Sequence, residues 1–162
     1  KNSLNSGLDY ISVEDEIGCI ESYITILNTR YENQIAISYD IEDVVKHEKV
    51  LKLLLQPLVE NALYHGIKNK RGMGHIRIRG QAGKKDFTIT VTDDGIGIDE
   101  TRLRQVQSGI QNKVLTGKDF YGLYNVCERI RLNFGEEYGI FIESVYGEGT
   151  SVRVILPYVE AK

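Results

Sequence analysis

Cysteine is scarce: Cys19 and Cys127 stand far apart with no C-x-x-C spacing. That excludes a disulfide framework and indicates no zinc site, so free thiols and a reducing compartment are expected. No apolar run approaches the ~20 residues that span a bilayer, and the first residues lack the apolar segment of a signal peptide. Charge of one sign is not in excess either. Twenty Lys and Arg against 23 Asp and Glu give a net charge of −3, which provides no broad basic face, and no nucleic-acid partner is expected. Internal repeats and low-complexity tracts are absent. Methionine occurs once, at Met73, and the chain opens on Lys1, so it reads as a piece of a longer protein. What remains is 162 residues with 41% apolar and 27% charged, an ordinary globular balance and about one domain's worth of chain.

Along the chain, 1–10 is polar and reads as a frayed lead-in. Ser12-Val13-Glu14-Asp15 has the capping-box pattern, and Ile17, Ile20, Ile24 and Leu27 recur at helical spacing, predicting a helix from Ser12 to Tyr31. Gln34 to Ile41 alternates as a half-buried strand, and Asp40 to Glu48 reads as a charged connection. A helix is predicted from Lys49 to Ile67, with Pro57 either kinking it or marking the first turn of its second half, and Gly66 helping to end it. Asn69 to Gly74 reads as a polar loop. His75 to Gln81 and Asp86 to Thr92 alternate as two strands joined by Gly83-Lys84-Lys85. Glu100 to Gln107 reads as a short helix and Ser108 to Phe120, with Gly109 and Gly117, as a mobile loop. Gly122 to Phe134 is predicted helical, with Arg129 and Arg131 outward. Tyr138 to Val145 and Thr150 to Leu156 complete a final hairpin, ended by Pro157. The order implies an α/β fold, a mixed sheet with helices on one face.

The informative stretch is Leu53-Leu54-Leu55-Gln56-Pro57-Leu58-Val59-Glu60-Asn61-Ala62-Leu63-Tyr64-His65-Gly66. On a helix, Asn61 and His65 are about one turn apart and share a face, and polar groups on an apolar helix need partners. Three glycine-bearing segments follow: Asp93-Asp94-Gly95-Ile96-Gly97-Ile98-Asp99, then Tyr121-Gly122-Leu123-Tyr124-Asn125-Val126, then Gly147-Glu148-Gly149-Thr150. A calcium loop is the rival reading of Asp93, Asp94 and Asp99, but the D-x-D-x-D-G order and a final Glu are missing. The four segments together resemble the ATP-binding domain of the GHKL superfamily of gyrase, Hsp90, histidine kinases and MutL. The wording LQPLVENALYHGI is similar to sensor histidine kinases of the LytS and YesM type, and the likeness runs from about Ser12 to Pro157.

The resemblance implies a two-layer sandwich of the Bergerat type, with 1–31 as linker and helix and 32–162 as the ATP-binding domain. The first helix then links to the phosphoacceptor region, or is simply an amphipathic structural helix. ATP with Mg²⁺ is the implied ligand. Asn61 falls on the family's Mg-binding Asn, an amide oxygen being a suitable ligand where phosphates supply others. His65 stands where such kinases place an aromatic or His beside the nucleotide, or is a structural His. Asp93 accepts from the adenine amino group, Gly95 and Gly97 let the backbone bend against the nucleotide, and Ile98 closes the apolar side of the purine. Gly122 and Leu123 open a helix whose N–H groups meet phosphate. The Thr150 hydroxyl supports the adenine-binding Asp, unless Gly147 to Thr150 is only a hairpin turn.

Three departures stand out. Tyr64 replaces a phosphate-contacting Lys or Arg, leaving Lys68, Lys113 or Lys118 for that task. Phe120 replaces the first Gly of the usual G-x-G-L, at the end of an expected nucleotide-dependent lid from Gln107 to Phe120. Pro57 occupies the place of the hydrolytic relatives' Glu, so phosphotransfer to a histidine is favoured over hydrolysis. None of His47, His65 and His75 has acceptor-like surroundings, so the chain is not expected to autophosphorylate alone. The implied partners are the protein's own phosphoacceptor His domain, a response regulator and ATP or ADP, in a full-length dimer. The implied location is the cytoplasmic side of a membrane-bound sensor. A serine kinase of the anti-sigma switch type and a non-catalytic nucleotide-sensing module are the alternatives.

Overall fold

A computed structural model describes residues 10–30, 35–67, 72–114 and 120–159. The described elements, in chain order, are β1 (Tyr10–Ser12), α1 (Val13–Arg30), β2 (Ile35–Ile41), α2 (Asp43–Lys46), β3 (Lys49–Leu51), α3 (Gln56–Asn61), a π turn (Ala62–Gly66), β4 (Gly74–Ala82), β5 (Asp86–Asp93), α4 (Glu100–Asn112), α5 (Tyr121–Phe134), β6 (Gly139–Val145) and β7 (Gly149–Pro157). Five strands form a mixed sheet in the order β2-β4-β5-β7-β6, with β2 parallel to β4 and the other pairs antiparallel. Strict alternation sets its faces. Ile76 and Ile78, Phe87, Ile89 and Val91, Val152, Val154 and Leu156, and Ile140 and Ile142 are buried in one core with Ile20 and Ile24 of α1, Leu58 and Val59 of α3, and Leu123, Val126 and Ile130 of α5. The helices therefore cover one face. The other carries Thr88, Thr90, Thr92, Ser151 and Arg153, none of them buried.

The first helix belongs to this core. Ser12 Oγ accepts from the Asp15 N–H at 3.0 Å, the N-terminal cap that the sequence pattern indicates. At its far end Asn28 accepts from the Ile35 N–H at 3.0 Å and donates to the Ile35 carbonyl at 2.8 Å. An amide side chain thereby takes the place of a neighbouring strand at the start of β2.

Several expectations need correction. The helix expected over Lys49 to Ile67 is instead a strand, a turn and a short helix. Lys49–Leu51 pairs antiparallel with Tyr10–Ser12, so Tyr10 belongs to a strand rather than to a frayed lead-in. Leu53 turns the chain with φ 59, and α3 begins at Gln56. Pro57 sits in its first turn, where a missing N–H costs nothing. The run Val50 to Leu55 has no polar residue but Lys52 to mark a period, so it cannot separate strand from helix. Asp40 to Glu48 is likewise not only a connection, since it finishes β2 and holds α2.

A further correction concerns the expected loop and its neighbour. Helix α4 runs on through Ser108 to Asn112, with Gly109 and Ile110 buried. It ends at Lys113, in the left-handed region at φ 62, where Val114 N–H reaches the Gly109 carbonyl at 2.8 Å. Such a cap normally falls to Gly. Arg131 does not point outward: its side chain is 12% exposed and donates to the Ile110 carbonyl at 2.7 Å. Of the expected lid from Gln107 to Phe120, 107–112 is anchored helix, and 115–119 lies outside the described residues. Amides of 106–112 are expected to be protected from hydrogen exchange in the nucleotide-free protein to the same order as those of α5, with little change on adding an ATP analogue. Fast exchange there would restore the loop reading.

Candidate functional site

The α3 helix and the π turn build one wall of a cleft, and the start of α5 builds the other. Pro57, Glu60, Asn61 and Tyr64 face Phe120, Tyr121, Gly122 and Leu123 across a volume of about 200 Å³. Asn61 is the last residue of α3, at the point where the backbone widens into the π turn, a feature that recurs at functional sites. The turn also touches β5 and β7. The side-by-side placing of Asn61 and His65 assumed α geometry throughout, and the His65 side chain lies outside the described residues.

Asn61 is 8% exposed, and its Oδ1 is buried without a hydrogen-bond partner among the described residues. An unmet buried acceptor costs roughly 1–3 kcal/mol. Across the cleft, α5 begins at Phe120 with no side-chain cap, and its first intrahelical bond runs from Tyr124 N–H to the Phe120 carbonyl at 3.0 Å. The N–H groups of Tyr121, Gly122 and Leu123 precede that bond, the arrangement that favours an anion at a helix start. The cleft thus combines an unused carbonyl oxygen with a set of helix-terminal donors. An amide oxygen beside phosphate is a suitable Mg²⁺ ligand. Among the described residues no cluster of His, Cys, Asp or Glu could hold a metal by itself, so phosphate oxygens would have to complete the set.

None of the eight lining residues is cationic. Lys113 is not among them: its Nζ binds Glu136 at 2.8 Å, which raises the lysine pKa and lowers that of the carboxylate. Lys68 and Lys118 lie outside the described residues. Phe120 takes φ 65, the conformation that the Gly of the usual pattern would adopt freely, at a cost of about 1–2 kcal/mol. Its ring packs on the core and lies 5.7 Å under the Arg102 guanidinium, which offsets that cost.

The second group of residues lies at the end of β5. Asp93 faces the same side as Phe87, Ile89 and Val91 and is 5% exposed. Its Oδ1 accepts from Gly95 N–H at 2.8 Å. Burial pushes its carboxyl up to about 6, against the pull of backbone N–H groups of Gly95 and Thr150, with nearby Asp94 adding to the rise. Register pairs Asp93 with Thr150. The Thr150 hydroxyl meets Ser144 at 2.9 Å, so the support it gives Asp93 is through its backbone. Ser144 also accepts from Ile98 N–H at 2.8 Å, a link that nothing in the motif spacing signals. Ile98 itself is buried in the core.

Two glycines here answer to backbone crowding. A Cβ on Gly97, at φ 77, would strike the Val145 carbonyl, and one on Gly149, at φ 137, would strike that of Asp93. Gly147 N–H meets the Ile96 carbonyl at 2.6 Å, so the loop after β5 and the β6–β7 turn are in direct backbone contact. The remaining acids are used locally. Asp94 pairs with His75 at 2.9 Å, and Asp99 caps α4 by accepting from Arg102 N–H at 2.9 Å.

The profile of the histidine kinase-, DNA gyrase B- and HSP90-like ATPases matches residues 46–160. Sensor histidine kinase YesM of Bacillus subtilis is 35% identical over 157 residues, covering 97% of this chain and 26% of that protein. The chain therefore spans about a quarter of the relative's length. Among solved structures, the catalytic domain of histidine kinase ThkA has a TM-score of 0.64 at 17% identity, covering 92% of this chain and 94% of that one. ThkA in complex with response regulator protein TrrA gives 0.62 at 16% identity, covering 93% and 41%.

Asp93 supplies a pH test. Its folded value lies above the ordinary 3.8, so below about pH 4 the group is protonated in both states and costs nothing. Between about 4 and 6 the unfolded chain releases its proton first, and stability falls as pH rises. Urea denaturation of Asp93→Asn and native protein should therefore show the variant gaining on the native from pH 4 to 6 and holding that gain above. A difference independent of pH would show that Asp93 is not buried as described.

Proposed function

Because this chain belongs to the family of histidine kinase-, DNA gyrase B- and HSP90-like ATPases, we propose that it is the ATP-binding catalytic domain of a sensor histidine kinase. It passes the γ-phosphoryl of ATP to a histidine on an acceptor region of the full-length protein. The observation that carries this reading is the buried, unmatched Oδ1 of Asn61 opposite the α5 N-terminus. That oxygen would be this chain's ligand to a Mg²⁺ ion, and the ion would neutralise charge on the phosphates. The N–H groups at Gly122 and Leu123 receive phosphate oxygens. Asp93, ionised above its raised pKa, accepts from the adenine amino group, while Gly95, Gly97, Ile98 and Thr150 shape the floor around the base.

The reaction then needs little from this chain but positioning. The acceptor imidazole forms a bond to the γ-phosphorus as the bond to the β–γ bridging oxygen breaks, and ADP leaves. Pro57 stands one turn before Asn61, in the place of the hydrolytic relatives' Glu, and the carboxylate that does line the cleft, Glu60, accepts from Gln56 at 3.4 Å, an arrangement we read as favouring transfer over hydrolysis. Tyr64 and Tyr121 line the cleft in place of a basic group. Lys68 and Lys118 are the proposed sources of positive charge, since Lys113 is engaged by Glu136.

The reading extends to the whole protein. It assigns 1–31 to the linker and helix that lead from the acceptor region and 32–162 to the ATP-binding unit. It also makes the kinase a dimer on the cytoplasmic side of a membrane-bound sensor. A response regulator is its partner, a reading supported by the complex of ThkA with response regulator protein TrrA. No described helix is long and apolar enough to cross a membrane, so the anchor would lie elsewhere in that protein.

The test is to mix the protein with its separately produced acceptor region and γ-labelled ATP. Acid-labile label on the acceptor is expected, and acid-stable label would point to a serine kinase. Binding calorimetry should show ATP preferred over GTP by at least about tenfold, because Asp93 meets an amino group in one and a carbonyl in the other. Asn61→Ala should lose most of the Mg²⁺-dependent part of the affinity. Unchanged affinity with and without Mg²⁺ would remove Asn61 from the metal site.

A further inference from the structure

Among the described residues, Glu16 is the most deeply buried charged side chain, at 1% exposed. It forms no ion pair there. A carboxylate so placed is costly unless hydrogen bonds replace its water. Its two oxygens take the backbone N–H groups of Leu53 at 3.2 Å and Leu55 at 2.9 Å. Leu55 is the residue that opens α3, and it provides no side-chain cap of its own. From a helix some forty residues earlier, Glu16 supplies the acceptor and the negative charge that a helix start favours.

The turn it grips is strained, since Leu53 lies in the left-handed region at φ 59. The same turn is held from the other side by Arg129 of α5, which donates to the carbonyls of Lys52 at 2.8 Å and Leu53 at 3.3 Å. A carboxylate on α1 therefore takes the N–H groups of the turn while a guanidinium on α5 gives to its carbonyls. The chain ahead of α1 reaches the same place, because Ser12 pairs with Lys49 and Val13 N–H meets the Glu48 carbonyl at 2.9 Å. From the turn to Asn61 there are only six helical residues, roughly 9 Å of stiff rod. A shift of the turn is delivered to the Asn61 amide with nothing between to absorb it.

We infer that Glu16 is a positioning residue for the cleft, fixing the start of α3 and so the place of the Asn61 oxygen opposite the α5 N-terminus. Docking of α1 thereby sets how strongly nucleotide binding depends on Mg²⁺. The inference rests on the nucleotide reading of the cleft.

Glu16→Gln keeps the shape but leaves one acceptor oxygen for two N–H groups. Titration calorimetry with ADP, with and without Mg²⁺, is run at a temperature where near-UV circular dichroism shows native and variant equally folded. Affinity in Mg²⁺ should fall about five- to tenfold, the size of effect expected of a residue coupled to a site it does not touch. Affinity without Mg²⁺ should stay within about twofold, and in an Asn61→Ala background the substitution should add nothing, the mark of two residues acting through one group. A merely structural role would lower both affinities by one factor, and that result, no change at all, or losses that multiply with Asn61→Ala would overturn the inference. If Glu16→Gln does not fold, Arg129→Met, at a partly exposed position, takes the same test with the same metal-selective loss expected. A native protein that binds no ADP overturns the cleft reading and this inference together. Native binding with unaltered metal dependence in the variants overturns the inference alone.

Discussion

The pairing of β5 with β7 is the constraint on which the rest depends. Register runs from Asp86 opposite Pro157 to Asp93 opposite Thr150, and a sheet has only two faces to offer each residue. Once Phe87, Ile89 and Val91 are committed to the core, parity forces Asp93 to the same side, and Thr150 follows Val152, Val154 and Leu156 there. The carboxylate is buried because the ladder leaves it no other place. The ladder also brings the loop after β5 against the β6–β7 turn so closely that Gly97 and Gly149 have no room for a side chain. Two motifs fifty residues apart thus become one backbone surface.

Among the described residues, Glu16, Asp93 and Asn61 are buried with different degrees of satisfaction, and the ranking is informative. Glu16 has both oxygens matched by N–H groups, and Asp93 has backbone donors but a raised pKa. Asn61 has nothing on its carbonyl oxygen. Tyr39 Oη, Arg79 Nε and Arg131 Nε are buried without a hydrogen-bond partner as well, and of these atoms the Asn61 oxygen is the one on a residue that lines the cleft.

The strands were legible because alternation survives in a one-sided sheet, and α1 and α5 because their apolar residues keep a helical period. Lys49 to Leu55 was not legible. Its strand exists only through Tyr10–Ser12, a partner nearly forty residues away, and no local pattern announces that. Gly109 was misleading for a different reason. In sequence a glycine amid polar residues reads as a break, yet here it is a close-packed helical position, and Lys113 supplies the left-handed cap. Of the residues lining the cleft, Asn61 and Gly122 could be picked out from their motifs, as could the buried Asp93 at the end of β5. Tyr64 and Phe120 could be read only as departures from those motifs, and Ser144 not at all, since its role arises from long-range contacts.

The amide of Asn28 has a consequence beyond holding a helix in place. Strand β2 is an edge of the sheet, and an uncovered edge is a template for any extended chain. By occupying both hydrogen-bonding groups of Ile35, Asn28 acts as a stopper at the end of that edge. Helix α1 thus closes the first residue of that edge as well as forming part of the core. Were it to swing away, Ile35 would offer both of its backbone groups to any extended chain that met the edge.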